Sequence, residues 1–301
     1  MEPINVSIIG AGRVGSTIAY VLKKSKNENI ILGCIGSRTK DSLDSAKRLL
    51  GPESNDIIFT TDLIECAGAA DCLLLATPDD SIEKVTVGIF SKIKKYHQKY
   101  VIHFSGSKSL KVLQKAKEAG ALTGCMHPVK SFASVKEAVK TIKGTVFGIT
   151  YNDSKVKELM SAFIEIMEGS SIEVADQKKP IYHAACCVAS NYLVALMDYA
   201  ADLNRAIGIK PQDSVRALMG LVGGTVDNIK KMGTKKSLTG PIARGDVGTI
   251  EEHLENFKEN DIDQEIYRTM GIKTSQIAYQ NGWIEKKVYQ NLIKILEADN
   301  K

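Results

Sequence analysis

The sequence has little that would tie it to nucleic acid. Its formal net charge is only +5 over 301 residues, aromatics make up 6% and there is one tryptophan. No basic tract interleaved with aromatics occurs, so a nucleic-acid partner is not expected, whereas a mildly positive balance suits small anions. Cysteine is present but unpatterned: positions 34, 66, 72, 125, 186 and 187 contain no CxxC pair and no His/Cys spacing of a zinc site. We expect reduced thiols in apolar surroundings and no metal. No leader precedes the first strand pattern, and no apolar run reads as long enough for a bilayer span, so the expectation is a cytoplasmic protein without a membrane partner. Repeats and low-complexity linkers are also lacking.

What is there begins at the N-terminus. Val6, Ile8 and Ile9 form a short β-rich run, Gly10-Ala11-Gly12 makes a tight turn, and Val14, Ile18, Val21 and Leu22 recur at helical spacing. With Arg13 and Gly15 this is a GxGxxG pattern between a strand and a helix, the context in which a dinucleotide pyrophosphate meets a helix N-terminus. Gly10 permits the turn, Gly12 the close approach of backbone to phosphate, and Gly15 the packing of helix on strand.

A second strand, Ile30 to Ile35, ends in Gly36-Ser37-Arg38. An NAD-selective site places an acidic residue there. A hydroxyl beside a guanidinium instead suits a 2′-phosphate, so NADP is the expected cofactor, the bland reading being that Arg38 only caps a surface turn. Asp71 to Ala76 is an unbroken apolar strand ending in the turn Thr77-Pro78, which would border the cofactor crevice. Strands alternating with helices continue to about residue 176. The expected fold is a Rossmann-type doubly wound parallel sheet over residues 1–176, followed by an all-helical domain over 177–301 for substrate and dimerisation. Within it Ile181 to Ile207 reads as one nearly apolar helix, expected to be buried on all sides and to favour a homodimer; Pro211 to Gly220 and Gly224 to Met232 read as separate helices.

Reduction by a nicotinamide needs a proton donor, a hydrogen bond to the reacting atom and a cation for an acidic substrate. Three stretches qualify. At about 100° per residue, His183, Ser190 and Asn191 share a sector roughly 100° wide on the long helix; His183 is either a general acid or a structural histidine, and Asn191 either orients substrate or binds backbone. The loop from Ser237 to Asp246 offers Thr239 and Arg244 for a carboxylate, or is a capped connector. Ser105 and His127 with Lys130 lie at strand ends, where Lys130 could pair with substrate or cofactor charge, although a single lysine is more often a solvated surface residue. His103 reads as structural, and His97 has no role.

The stretches around Gly10 to Gly15, Ala76 to Asp79, His127-Pro128, His183 to Asn191 and Leu238 to Asp246 resemble, over nearly the whole chain, a family that pairs a Rossmann-like NADP-binding domain with a C-terminal helical domain of long-unassigned function. That family is related to pyrroline-5-carboxylate reductases, 3-hydroxyisobutyrate dehydrogenases and ketopantoate reductases, and some members resemble an alternative class of ketopantoate reductase. The resemblance implies NADPH-dependent reduction of a small 2-keto acid, with 2-dehydropantoate the leading substrate. Related enzymes look to a lysine on the interdomain helix with an asparagine beyond it. Here His183 stands where that lysine is expected and Asn191 is retained, so His183, a water or Lys130 would supply the proton. The alternatives are an imine reductase like the pyrroline-5-carboxylate enzymes, or a non-catalytic NADP sensor.

Overall fold

The computed structural model describes residues 3–25 and 27–298. The chain opens with β1 (Ile4–Ile9), α1 (Arg13–Ser25), β2 (Ile30–Gly36), α2 (Lys40–Leu50), β3 (Ile58–Thr60), α3 (Leu63–Gly68), β4 (Cys72–Leu75), α4 (Ile82–Phe90) and β5 (Tyr100–His103). It continues through α5 (Gln114–Glu118), β6 (Leu122–Pro128), α6 (Val135–Thr141), β7 (Val146–Tyr151), α7 (Ser154–Ile166) and β8 (Ser170–Glu173). Helices follow: α8 (Lys179–Ala206), α9 (Pro211–Lys236), α10 (Pro241–Arg244), α11 (Val247–Glu259), α12 (Glu265–Gln280) and α13 (Lys286–Glu297).

The strands form one sheet in the order β3-β2-β1-β4-β5-β6-β7-β8. β1 and β4 lie side by side at its centre because both are apolar on both faces, as helix-covered parallel strands must be. Alternate side chains go to opposite layers: Val6 and Ile8 enter one core, Ile9, Leu73 and Leu75 the other. The order reverses between β1 and β4, which opens a crevice at their carboxyl ends.

The sheet departs from the all-parallel expectation at one pair: β7 runs antiparallel to β6. The connection explains it. α6 has seven residues, about 10 Å of helix, and packs on α1, whereas β6 is about 23 Å long. Too short a helix to return the chain to the opposite edge leaves β7 starting where β6 ends.

The chain divides into two compact units, Met1–Ser190 and Asn191–Lys301, with the division falling inside α8. The second unit has its own core around Ile250, Leu254, Ala278, Leu292 and Leu296. Three expectations are corrected here. α9 is one helix through Gly220, Gly223 and Gly224, broken only at Gly233 (φ 78°), because interior glycine weakens a helix by about 1 kcal/mol without stopping it. α8 is not buried on all sides: its only buried residue is Lys179, and Ile181 and Val194 are 71% and 69% exposed. An apolar pattern states what a helix gains by being covered, not what covers it. By length and composition alone, Asp176–Ala206 also meets the requirement for a membrane span, with a mean hydropathy of 1.3, so the expectation that no run reaches that length is corrected. One such helix is weak support for a membrane, since core helices of soluble proteins pass the same test.

Candidate active site

The crevice between β1 and β4 is built largely from what its residues lack. Gly10 sits at φ +109°, and a Cβ there would come within 2.5 Å of the Ala76 carbonyl oxygen. A Cβ on Gly15 would lie 1.9 Å from the Gly10 oxygen, so α1 packs on the turn only without one. Gly12 differs, because its Cβ would meet no heavy atom within 4 Å. The protein's own packing does not require glycine there, and the space in front of it is open.

That space is a cleft of about 190 Å³ lined by Gly10, Ala11, Gly12, Ser37 and Arg38 on one side and Thr77 and Pro78 on the other. Three features fit an anionic dinucleotide. The N–H groups of the first turn of α1 have no intrahelical partners. The Arg38 side chain is exposed and, among the described residues, makes no ion pair. Thr77 Oγ1 is buried and, among the described residues, has no hydrogen-bond partner, and an orphaned buried hydroxyl calls for a ligand. Ser37 is buried, its backbone N–H donating to the Thr60 oxygen at 3.2 Å. The side chains of Arg13 and Val14 are engaged elsewhere, while their N–H groups belong to the first turn of α1: Arg13 Nη1 donates to the Phe132 oxygen at 2.9 Å, fastening the segment after β6, and Val14 packs on the core.

From the cleft the structure leads directly to β5. Asp79, next to Pro78, accepts hydrogen bonds from Ser105 Oγ (2.7 Å) and Ser107 Oγ (2.8 Å) through the same carboxylate oxygen. Ser105 Oγ in turn accepts the N–H groups of Ser107 and Lys108. Ser105 is therefore held in a turn that couples the β4 and β5 ends.

Behind that turn lies a cluster of basic side chains. Lys179, the first residue of α8, is 1% exposed and donates from Nζ to the Ser105 oxygen (2.9 Å) and Cys125 Sγ (2.8 Å). Burial pushes the Cys125 thiol up against the opposing pull of Lys179. His103 Nδ1 accepts the Ser105 N–H at 3.1 Å, while its Nε2 is buried and, among the described residues, has no partner. Burial, with Lys179 and His127 adding to it, pushes the His103 imidazole down to about 3. His127 Nδ1 is 2.9 Å from the Tyr182 hydroxyl. Burial first, then Lys179 and His183, push His127 down to about 4, with Asp79 opposing. Burial likewise raises the Tyr182 phenol. The His127 and His183 rings meet edge to face with centroids 5.9 Å apart, and both close on Gly106, where a Cβ would lie 2.8 Å from His127 Nε2 and 2.6 Å from His183 Cδ2.

The structure thus brings Ser105, His127 and His183 together. Lys130 is half-buried just past β6, its N–H donating to the Pro128 oxygen, and among the described residues its side chain makes no hydrogen bond or ion pair. Asn191, Thr239 and Arg244 belong to the second unit, where Arg244 Nε and Nη2 hold Asp246 Oδ2 at 2.9 and 2.8 Å. Sequence reasoning missed Lys179, Tyr182, Cys125 and the placement of His103. One signal was available: Lys179 precedes His183 by four residues, one helical turn on the same face. The long helix does carry a lysine, at its first position.

The chain combines a Rossmann-like domain, matched over residues 2–128, with a domain of unknown function, DUF2520, matched over residues 145–274. No curated protein is similar to it in sequence at a significant level. Among solved structures, a Bacteroides fragilis protein described as an NADP oxidoreductase is 19% identical, with a TM-score of 0.70 over 92% of this chain and 98% of that one. Protein TM1727 from Thermotoga maritima is 24% identical, with a TM-score of 0.68 over 91% and 99%. A pyrroline-5-carboxylate reductase from Coxiella burnetii is 17% identical, with a TM-score of 0.60 over 95% and 99%. At these identities the likeness is one of fold.

Proposed function

From a chain that joins a Rossmann-like domain to DUF2520, we propose an NADPH-dependent oxidoreductase that reduces the C=O or C=N bond of a small anionic substrate. The observation that carries this reading is the unbroken series from the cleft to the histidines: Thr77 and Pro78 line the cleft, Asp79 holds Ser105, and the His127 and His183 rings close on Gly106, the residue after Ser105. When bound, the cofactor supplies the hydride. The free amides of α1 receive the pyrophosphate, and Ser37 with Arg38 receives the 2′-phosphate by charge-assisted hydrogen bonds. His183 gives the proton to the reduced atom. On sequence grounds Thr239 and Arg244 remain the carboxylate-binding candidates and Asn191 the candidate for orienting the substrate.

Within this class we take 2-dehydropantoate as the first substrate to test, on the resemblance of the motifs. The second reading, an imine reductase, is favoured by the likeness to the Coxiella pyrroline-5-carboxylate reductase, whose name states a C=N substrate. NADPH oxidation at 340 nm against both compounds, with NADH in parallel, separates them. Turnover of 2-dehydropantoate with NADPH preferred is expected. Turnover of pyrroline-5-carboxylate alone selects the imine reading, tight NADPH binding without turnover of either overturns both substrates, and no NADPH binding overturns the proposal from its first glycine.

A further inference from the structure

His127 and Tyr182 share a hydrogen bond whose direction decides what His127 can do. The groups facing His127 come from every element around it: Lys179, Tyr182 and His183 from α8, His103 from β5, Cys125 from β6 and Asp79 from the turn after β4. The nearby cation is Lys179, buried beside Ser105 and Cys125 with no carboxylate in hydrogen-bond range among the described residues. A cation held there opposes a second one on the imidazole. In the 2.9 Å contact the phenol is the more acidic group and the imidazole nitrogen the more basic, so the O–H donates and Nδ1 accepts. A ring whose Nδ1 accepts carries its proton on Nε2, the nitrogen turned toward Gly106 and the His183 edge.

We infer that Lys179 and Tyr182 are positioning residues that hold His127 as the neutral Nε2–H tautomer, so that His127 donates a hydrogen bond to the substrate's reacting oxygen or nitrogen and does not transfer a proton. This deepens the proposed reductase and rests on it for the identity of the acceptor; the state of His127 itself is a property of the chain. Two histidines then divide the work. His127 polarises the bond, as a neutral imidazole can, and His183 supplies the proton.

The test reads the ring directly. With ¹⁵N-labelled protein, the side-chain nitrogens of all five histidines are followed from pH 8 to pH 3, His127 being assigned by the signals lost in His127→Asn. Expected are an unprotonated Nδ1, a protonated Nε2 and a ring that stays neutral at pH 6. Lys179→Met removes the cation at similar volume, and the His127 titration midpoint should rise by about one pH unit or more toward the ordinary value of about 6.5. Tyr182→Phe should return the neutral ring to a mixture of tautomers. If Lys179→Met does not fold, the wild-type titration and Tyr182→Phe still decide the matter. Neutral His127 protonated at Nδ1, an imidazolium at pH 6 in the wild type, or a midpoint unmoved in folded Lys179→Met would each overturn the inference. The resonances are read without substrate, so absence of turnover would count against the reductase alone.

Discussion

The cleft at Gly10 to Gly12 and the histidine cluster lie along the same edge of the sheet and are made in opposite ways. The cleft consists of backbone, missing side chains and polar groups that, among the described residues, have no partner: open space at Gly12, an unpaired Arg38 and an orphaned Thr77 hydroxyl. The cluster consists of side chains that mostly satisfy one another, from Asp79 through Ser105 and Lys179 to Tyr182. A site poor in protein partners is ready for a large anion. A site rich in them instead fixes the protonation states of a few rings.

The comparison can be broken in order of effect. His183→Ala should lower kcat by about 10²- to 10⁴-fold, the usual range for a lost general acid, with NADPH affinity unchanged by titration calorimetry. A comparable loss of NADPH binding would mean that cleft and cluster are not separable. Gly15→Ala and Gly12→Ala then sharpen the cleft itself. The first forces a Cβ to 1.9 Å from Gly10 and should cost about 3 kcal/mol of stability. The second meets nothing in the protein and should leave the melting temperature unchanged while weakening NADPH about tenfold, or about 1.4 kcal/mol.

Arg38→Ala should weaken NADPH by about 1.5–3 kcal/mol and leave NADH unaffected, as measured by fluorescence titration of both cofactors. Equal losses would refute the 2′-phosphate assignment. The last effect is spread over pH and concerns the cluster. His103 and His127 are held neutral with depressed values of about 3 and about 4. The unfolded chain therefore binds more protons as pH falls below about 6.5, and stability is complete above that value and lost toward the folded values. Urea denaturation at stepped pH should show a slope of up to about 1.4 kcal/mol per pH unit for each histidine. Replacing His103 by Gln should remove one of the two contributions, and an unchanged slope would contradict its burial as a neutral base.

Legibility followed the range of the interaction. Gly10, Gly12 and Gly15 sit next to one another in a turn whose geometry they impose, so the turn can be read locally. Arg38 and Thr77 could be read because a doubly wound sheet places strand ends together. Lys179 was legible only as the neighbour of His183 one helical turn away, because its partners Ser105 and Cys125 are distant in sequence and only pairing of β5 with β6 brings them under α8. The antiparallel β7 was invisible for a related reason: strand patterns carry no direction, and the short α6 sets it.

The sequence by itself determined the α/β alternation, the helical C-terminal half, the glycine turn and the phosphate-suited Ser37-Arg38 pair. Each of these follows from periodicity or from conformations that nearest neighbours impose. Only the tertiary structure decided that Lys179, His103, His127, Tyr182 and His183 form one electrostatic unit. Protonation states depend on burial and on charges a few ångströms away, and neither distance nor burial is a local property of the chain.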